Sequence, residues 1–531
     1  MTITHQTAKS VDLATLRAWL ADGGETAFLD VREEGQHGAG HPLLAVNLPY
    51  SRLEIDIGRL VPRRGCRIVL VDDGDGVAAR AARHLAGLGY SDVSVLDGGV
   101  AAWATRYPLF PSTNVPSKAF AEIVEIDRHT PHVSPAELDR MRHAGQKVVV
   151  LDSRTLDEFN RFHVPGAISC PGAELVHRFT DLVPDRDTLV VVSCAGRTRS
   201  IIGAQSLINA GVPNRVASLQ GGTQAWRLSG LELERDTGAR LSAVSDAAAA
   251  AARALAATVA ARFGVRHIDR RTLVEWQADK GRTTYLLDVR TPDEFAAGHL
   301  AGSLSAQGGQ LVQAIDRWVG TRGARLVLVD DSGTRAIMTA HWLQQMGWDV
   351  AVLERALDGV ALEPGPEPEA AGLPDVLRIG IPETRHWLES GAAAVAVIPS
   401  EDYRRAHPEE ALWAIRPRLD RLPRSILGAS RVVLFATDEA VGALAAADLA
   451  ELASGPVALV DGGVAGWRAA GGPFAASPEV PSDDERIDYI FWNHDRHAGN
   501  EAAMRAYLQW ETELPAEIAR DGLAGFRLAA G

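Results

Sequence analysis

The sequence predicts an α/β protein of four tandem domains, each a small parallel sheet flanked by helices on both faces, with a short helical C-terminal tail. The chain has 531 residues, whereas single domains usually run to about 100 to 200. Two short patterns recur four times in the same order. Between them, buried strand-like runs alternate with helix-like stretches, which is typical of parallel strands joined by right-handed crossovers.

The first recurring pattern is an acidic strand end. It reads FLDVREEGQHGAGHP from Phe28, VLDSRTLDEFNRFHVPGA from Val150, LLDVRTPDEFAAGHLAGS from Leu286 and, more faintly, VAVIPSEDYRRAHPEE from Val395. The second pattern closes each repeat and reads VLDGGVAAW, SLQGGTQAW, VLERALDGV and LVDGGVAGW. Together they predict domains at about 8–110, 130–235, 265–365 and 373–475, and a tail at 476–531.

The segments between the repeats have linker composition. FPSTNVPSKAF and GPEPEAAGLP are rich in proline, and residues 241–262 are rich in alanine, which predicts a helical spacer. The aromatic tail contains a helix-compatible stretch from about Glu501 to Glu513. We expect this tail to lie over a cleft or to mediate oligomerisation.

The composition indicates a folded chain that acts on small molecules. Apolar residues make up 46% and charged residues 23%, as in ordinary globular proteins. The net charge of -14 argues against binding to nucleic acid or acidic lipid, because both are polyanions. We see neither a leader segment nor a membrane-length apolar run, and expect a cytoplasmic protein.

Cofactors and metals are not expected. No G-x-G-x-x-G follows a first strand, so neither a flavin nor a nicotinamide site is predicted. Three cysteines, Cys66, Cys170 and Cys194, are too few for a disulfide framework or a cysteine-based zinc site. His494, Asp495 and His497 fit no strong metal-ligand spacing.

The loops that follow the four buried runs differ in one decisive residue type. Ligands bind at the carboxyl ends of parallel strands, so these loops are where chemistry is expected. In alignment with one another, they read Asp73-Gly74-Asp75-Gly76, Cys194-Ala195-Gly196-Arg197-Thr198-Arg199, Asp331-Ser332-Gly333-Thr334 and Ala436-Thr437-Asp438-Glu439. The second loop alone contains a nucleophile, Cys194.

The surroundings of Cys194 predict a reactive thiol. A helix is expected to begin near Ser200 and to end at Gly211. Its unpaired N–H groups and its dipole stabilise an anion, and Arg197 and Arg199 add positive charge. We therefore expect a thiol pKa below the value of about 8.5 for a free cysteine. The loop amides would also form an anion-binding nest.

With these residues in view, the chain resembles the rhodanese sulfurtransferase family over roughly residues 8 to 475. The motifs that carry the resemblance are the LDxR strand end, the EF...HxPGA stretch, the Cys194 loop and the LxGG...W close, represented by Asp152, Arg154, Glu158, Phe159, His163, Pro165, Gly166, Leu219, Gly221, Gly222 and Trp226. The resemblance implies that the cysteine takes the outer sulfur of thiosulfate as a persulfide. It then passes that sulfur to cyanide or a thiol, with ping-pong kinetics.

The resemblance also assigns roles around the cysteine. The backbone amides from Ala195 to Arg199, through Gly196, Arg197 and Thr198, would cradle the persulfide. Arg197 and Arg199 would attract thiosulfate or release sulfite. Mercaptopyruvate-specific members typically have a Cys-Gly-x-Gly loop, so the two arginines favour thiosulfate as donor.

The other three repeats lack the cysteine and are expected to be inactive. Tandem rhodaneses commonly pair an inactive domain with an active one, so repeat 1 is expected to pack on repeat 2 across the Cys194 cleft. Asp152, Arg154 and His163 have counterparts in repeats without a nucleophile, which favours structural roles for them near the site. Cys66 and Cys170 are expected to serve packing, with a resolving-thiol role for Cys170 as the alternative.

Two other functions compete with the sulfurtransferase. A cysteine-dependent phosphatase or arsenate reductase would need arginine at position 200, where this chain has Ser200. Arg199 comes one residue too early, and the shorter loop suits a sulfur centre. The second alternative is a persulfide carrier or scaffold that delivers sulfur to a partner protein.

Overall fold

The computed structural model describes residues 9–366, 372–497 and 499–529, without the side chain of His497. Residue 8, the predicted start of repeat 1, and part of the linker GPEPEAAGLP lie outside the described residues. Four five-stranded sheets confirm the predicted α/β class. In the part of the chain that is described, no helix is long and apolar enough to cross a bilayer.

Repeat 1 contains five strands, five α-helices and one 3-10 helix (Tyr50–Arg52). They are β1 (Lys9–Val11), α1 (Leu13–Ala21), β2 (Thr26–Asp30), α2 (Glu34–Ala39), β3 (Val46–Asn47), α3 (Leu53–Leu60), β4 (Arg67–Val71), α4 (Val77–Gly87), β5 (Val93–Leu96) and α5 (Gly99–Ala104).

Repeat 2 follows the connecting helix α6 (Val115–Arg128). Its elements are β6 (His132–Val133), α7 (Pro135–His143), β7 (Val148–Asp152), α8 (Leu156–Arg161), β8 (Ile168–Ser169), α9 (Glu174–Leu182), β9 (Leu189–Ser193), α10 (Thr198–Ala210), β10 (Val216–Leu219) and α11 (Gly222–Leu228). Helix α12 (Asp246–Phe263) connects repeat 2 to repeat 3 and is the predicted alanine-rich helix.

Repeat 3 has the same order of elements up to its fifth strand, but its described residues form no helix after that strand, and it has a 3-10 helix at Ile315–Arg317. Its elements are β11 (His267–Ile268), α13 (Arg270–Ala278), β12 (Thr284–Asp288), α14 (Pro292–Ala297), β13 (Leu304–Ser305), α15 (Gly308–Gln313), β14 (Arg325–Val329), α16 (Thr334–Gln345) and β15 (Asp349–Leu353).

Repeat 4 adds a short antiparallel pair, β18 with β22, and a 3-10 helix at Arg416–Arg421. Its elements are β16 (Arg378–Ile379), α17 (Ile381–Glu389), β17 (Ala393–Val397), α18 (Ser400–Arg405), β18 (His407–Pro408), β19 (Ala411–Trp413), α19 (Arg424–Leu427), β20 (Val432–Ala436), α20 (Glu439–Leu452), β21 (Val457–Val460), α21 (Gly463–Ala469) and β22 (Phe474–Ala475).

The tail holds α22 (Phe491–His497) and α23 (Glu501–Asp521). Helix α23 runs well past the predicted end at Glu513 and through Pro515. It continues because Leu514 and Ile518 bury their apolar side chains, and this packing outweighs the helix-breaking tendency of proline.

All four main sheets share one strand order, which places the functional loop. In repeat 2 the order is β6-β10-β9-β7-β8, and each neighbouring pair is parallel. Strand β9 is therefore the central strand, and all five of its residues, LVVVS, are buried. A strand that is covered on both faces reads as a continuous apolar run, which is why this signal was visible in the sequence.

The described chain folds into two compact units. One contains the described residues of 1–16, 28–112 and 369–494, which are most of repeat 1 together with repeat 4. The other contains the described residues of 17–27, 113–368 and 495–531, which include repeats 2 and 3 and helix α23. Repeat 2 therefore shares its compact unit with repeat 3, whereas the sequence predicted repeat 1 as its packing partner.

Helix α12 explains why repeats 2 and 3 share a core. It packs against α9 of repeat 2 and α16 of repeat 3. Ala252, Ala256 and Val259 are buried along one face. Small side chains allow close approach of neighbouring helices, so the stretch predicted as a spacer is also part of a core that spans both repeats.

Candidate active site

Cys194 lies at the carboxyl end of the central strand β9 and directly before the loop to α10. Its side chain is buried, with 2% of its surface exposed. A hydrogen bond of 3.5 Å joins Sγ to the Ser200 hydroxyl, which donates to the Arg197 carbonyl at 2.8 Å. Helix α10 begins at Thr198, two residues before the predicted start, and ends before Gly211 as predicted.

A glycine at the start of α11 holds the Cys194 backbone. The N–H of Thr223 donates to the Cys194 carbonyl oxygen at 2.8 Å. Gly222 adopts φ +54°, and a Cβ on it would lie 2.2 Å from that carbonyl oxygen. Only glycine fits this approach and this conformation. The second glycine of the LxGG...W pattern therefore fixes the backbone position of Cys194.

The positions equivalent to Cys194 in repeats 1 and 3 are Asp72 and Asp330, and not the predicted Asp73 and Asp331. Cys194 directly follows β9, just as Asp72 follows β4 and Asp330 follows β14. The backbone hydrogen bonds support this equivalence. The N–H of Val100, the residue after Gly99, donates to the Asp72 carbonyl oxygen at 2.9 Å, just as the N–H of Thr223 donates to that of Cys194. The alignment was displaced by one residue because both runs end in two consecutive aspartates.

In repeats 1 and 3 the amides of this loop donate hydrogen bonds to the carboxylate of the aspartate. In repeat 1 the Asp72 carboxylate accepts hydrogen bonds from the backbone N–H groups of Gly74 and Ala78, both at 2.9 Å. In repeat 3 the Asp330 carboxylate accepts from two N–H groups in the first turn of α16, at 2.7 and 3.2 Å. In the Cys194 loop, the N–H of Ser200 is equivalent to that of Ala78. The shared loop geometry is thus an anion cradle.

The two arginines of the Cys194 loop are held in ion pairs. Arg197 donates to Glu122 at 2.7 and 2.8 Å and also pairs with Glu125, both on α6. Arg199 donates to Glu158 at 2.6 and 2.8 Å. Both guanidinium groups are largely buried. Their charges are balanced by glutamates, and their attraction for thiosulfate stays a prediction.

Glu158 has two structural roles. Its carboxylate accepts from the backbone N–H of Thr155 at 3.3 Å, which completes the capping box of α8. Burial tends to raise its pKa, but the charge of Arg199 and their hydrogen bond lower the pKa of Glu158 to about 2. The same arrangement recurs in repeat 3, where Arg335 pairs with Glu294.

The expected depression of the Cys194 pKa is wrong for this arrangement. Burial raises the pKa of the thiol above its ordinary value. The charge of Arg199 and the hydrogen bond to Ser200 act in the opposite direction, and the carboxylate of Glu511 raises the pKa further. Removal from water outweighs the favourable charges because Arg197 is already neutralised by its glutamate partners.

Helix α23 brings two side chains to the Cys194 loop, and no pattern in the sequence predicts either of them there. The Glu511 carboxyl group is 1% exposed, and its Oε1 accepts from the Tyr507 hydroxyl at 2.7 Å and from Thr198 at 3.4 Å. A Cβ on Gly196 would lie 3.1 Å from Glu511 Oε2 and 3.3 Å from Tyr507 Cε1. The tail therefore covers this loop, in line with the expectation that it lies over a cleft.

The three residues predicted to be structural make buried contacts of that kind. Arg154 donates to the Asp152 carboxylate at 2.8 and 2.9 Å. His163 stacks on Phe159 with ring centroids 3.7 Å apart. Corresponding pairs occur in repeats without a nucleophile, at Asp30 with Arg32, Asp288 with Arg290 and Phe295 with His299.

The remaining sequence candidates lie apart from any assembled site. Cys170 is fully buried, and burial raises its pKa strongly. Cys66 is also buried. His494 and Asp495 are exposed, and the side chain of His497 lies outside the described residues. Within the described ranges, no group of three or more His, Cys, Asp or Glu side chains could hold a metal ion.

The fold and the site define a tandem-repeat α/β protein in which one of four equivalent loops carries a cysteine inside an anion cradle. The profile of the Rhodanese-like domain matches residues 12–106, 134–229 and 270–363, which is more than half of the chain. The chain belongs to the rhodanese family.

Two comparisons extend this assignment. The crystal structure of thiosulfate sulfurtransferase from Pseudomonas aeruginosa is 44% identical, has a TM-score of 0.93, and the match covers 98% of this chain and 100% of that one. A curated relative, the HTH-type transcriptional regulator Rv0324 of Mycobacterium tuberculosis, is 36% identical over 102 residues, which are 19% of this chain. The matched segment spans 44% of that relative.

Proposed function

We propose that this chain is a sulfurtransferase that moves the outer sulfur of thiosulfate to a thiophilic acceptor through a persulfide on Cys194. One observation carries the proposal. Cys194 occupies the chain position, directly after the central strand, at which repeats 1 and 3 have Asp72 and Asp330, whose carboxylates accept hydrogen bonds from loop amides. The similarity to a solved thiosulfate sulfurtransferase across nearly the whole chain supports the choice of donor.

The first half-reaction loads the enzyme. The Cys194 thiolate attacks the outer sulfur of thiosulfate and forms a new S–S bond. The S–S bond of thiosulfate breaks, and sulfite leaves with its electron pair. The persulfide then carries its negative charge on the outer sulfur, where the amides of Gly196 and Ser200 can donate to it. Preorganised donors of this kind stabilise charge without reorganisation of solvent.

The second half-reaction discharges the enzyme. A nucleophilic acceptor attacks the outer sulfur of the persulfide, the Cys194 S–S bond breaks, and the Cys194 thiolate is restored. Because each product leaves before the other substrate reacts, the steady-state kinetics are of the ping-pong type. The near-complete burial of Cys194 keeps water away from the persulfide between the two steps.

The test is mass spectrometry of the intact protein after incubation with thiosulfate. We expect a gain of one sulfur atom per chain, retained after desalting and lost on addition of cyanide with release of thiocyanate. Cys194→Ser should abolish the gain. Cys170→Ser is the matched control, because it removes a buried thiol from the same repeat and should leave loading unchanged.

Two results would overturn the proposal: retention of the added sulfur by Cys194→Ser, or no sulfur gain in the wild-type protein. The acceptor assay separates an enzyme from a carrier. Multiple turnovers with cyanide or a small thiol identify a sulfurtransferase, whereas loading followed by discharge to a protein acceptor alone identifies a persulfide carrier.

A further inference from the structure

The carboxyl group of Glu511 is poised over the Cys194 loop with one oxygen unused. Its Oε1 is fixed by the Tyr507 hydroxyl and Thr198. Its Oε2 is buried and accepts no hydrogen bond from any residue that the structure describes. An acceptor oxygen that is buried without a donor loses its hydration without compensation, and the loss is larger when the group is charged. Such an atom is best explained by a ligand that donates to it.

The position of Oε2 points to the sulfur-transfer site. It is the atom that a Cβ on Gly196 would approach to 3.1 Å, and Gly196 lies two residues after Cys194 in the cradle. The negative charge of Glu511 also reaches the nucleophile, since it raises the pKa of the Cys194 thiol. Glu511 lies 313 residues after Thr198 in the chain and therefore belongs to the tail and not to repeat 2.

Two cationic groups lie beside the Tyr507 ring, whose hydroxyl group holds Glu511. The Arg496 guanidinium lies 3.5 Å from the centre of the Tyr507 ring, and the Lys118 ammonium lies 5.5 Å from the same ring. Lys118 is buried, and burial together with the charge of Arg496 lowers its pKa to about 7, while Glu511 acts to raise it. A carboxylate oxygen with a free lone pair can accept a proton from a donor that comes within hydrogen-bond distance.

We infer that Glu511 is the general base that takes the proton from a neutral thiol acceptor when that thiol discharges the Cys194 persulfide. This inference rests on the proposed function and names the acceptor class. A neutral thiol can donate its S–H to Oε2, whereas an anionic acceptor has no proton to give and is repelled by the carboxylate.

The step is balanced. The thiol proton moves to Glu511 as the thiol sulfur attacks the outer sulfur of the persulfide. A new S–S bond forms, the bond between that sulfur and Cys194 Sγ breaks, and its electron pair restores the Cys194 thiolate. The product is a small-molecule persulfide anion. The proton on Glu511 then passes to solvent, and no external oxidant or reductant is consumed.

The experiment is single-turnover discharge of the full-length protein, preloaded with thiosulfate and desalted. 2-Mercaptoethanol serves as the neutral thiol. Sulfite at mildly alkaline pH serves as the acceptor without a proton to remove, since it reverses the loading step. Glu511→Gln keeps the shape of the side chain and its bond to Tyr507 but removes the base. Glu513→Gln on the exposed face of the same helix is the matched control.

We expect Glu511→Gln to slow discharge to 2-mercaptoethanol by about 100-fold, which is a typical rate contribution of general base catalysis. Discharge to sulfite should keep its wild-type rate or exceed it. Glu511→Asp should recover part of the thiol rate. Tyr507→Phe, which loosens the carboxylate without removing it, should give a smaller and equally selective loss and provides a second variant should Glu511→Gln fold poorly.

Equal slowing of both acceptors by Glu511→Gln would show a structural role and overturn the inference, as would a wild-type rate with the thiol. These outcomes differ from failure of the proposed function, in which the wild-type protein does not load sulfur from thiosulfate at all.

Discussion

Replacement of Gly222 by alanine tests whether the Cys194 loop is positioned by close backbone contact. The added Cβ would stand 2.2 Å from the Cys194 carbonyl oxygen, whereas real Cβ atoms essentially never come nearer than 3.0 Å. The loop must therefore retreat by roughly 0.8 Å, and a misplacement of about 1 Å at a reacting group can cost about 100-fold in rate. The positive φ of Gly222 adds about 1 to 3 kcal/mol of backbone strain.

We expect Gly222→Ala to lower the single-turnover rate of persulfide formation from thiosulfate by about 100-fold. The matched control is Gly463→Ala, because Gly463 has φ +53° and its Cβ would lie 2.1 Å from the Ala436 carbonyl oxygen in a repeat without a nucleophile. This control should show a similar loss of thermal stability and a normal loading rate. Wild-type loading by Gly222→Ala, or equal slowing by both variants, would refute the reasoning.

Two further predictions concern charge around the site. Arg199→Met should destabilise the protein by about 1 to 2 kcal/mol in urea titrations at neutral pH. Glu158 is about one-third exposed, so its ion pair with Arg199 should contribute more to stability than a surface ion pair and less than a fully buried one. The folded-state pKa of Glu158 is depressed from 4.5 to about 2, so the pair's contribution is present above pH 4.5 and is lost as the pH falls toward 2. Stability in this acid range should therefore depend less on pH in Arg199→Met, and an unchanged slope would contradict the assignment. The rate of Cys194 alkylation by iodoacetamide, followed by peptide mass spectrometry, should rise with pH and have its midpoint above the pKa of about 8.5 of a free thiol. In Glu511→Gln the midpoint should lie at a lower pH than in the wild type, because the variant lacks a carboxylate that raises the pKa of the Cys194 thiol. A wild-type midpoint below that of a free thiol would show that burial does not dominate.

The repeats and the nucleophile could be predicted from the sequence because their signals are local. Strand β9 is covered on both faces and therefore reads as an unbroken apolar run. The residue after it marks the carboxyl end of a parallel strand, where ligands bind, so Cys194 was identifiable without a structure. Local signals also have limits, since two consecutive aspartates displaced the alignment of Asp72 and Asp330 by one residue.

The tertiary structure decided which groups surround that nucleophile. The partners of Arg197 lie on α6 and Glu511 lies on α23, and contacts between distant segments have no periodicity that a single sequence displays. The same limit explains the pKa of Cys194, whose rise depends on burial. The sequence by itself determined the fold of each repeat and predicted Cys194 as the candidate nucleophile. Packing decided the grouping of repeats 2 and 3, the neutralisation of the arginines and the placement of a carboxylate over the loop, because these depend on which surfaces exclude water together.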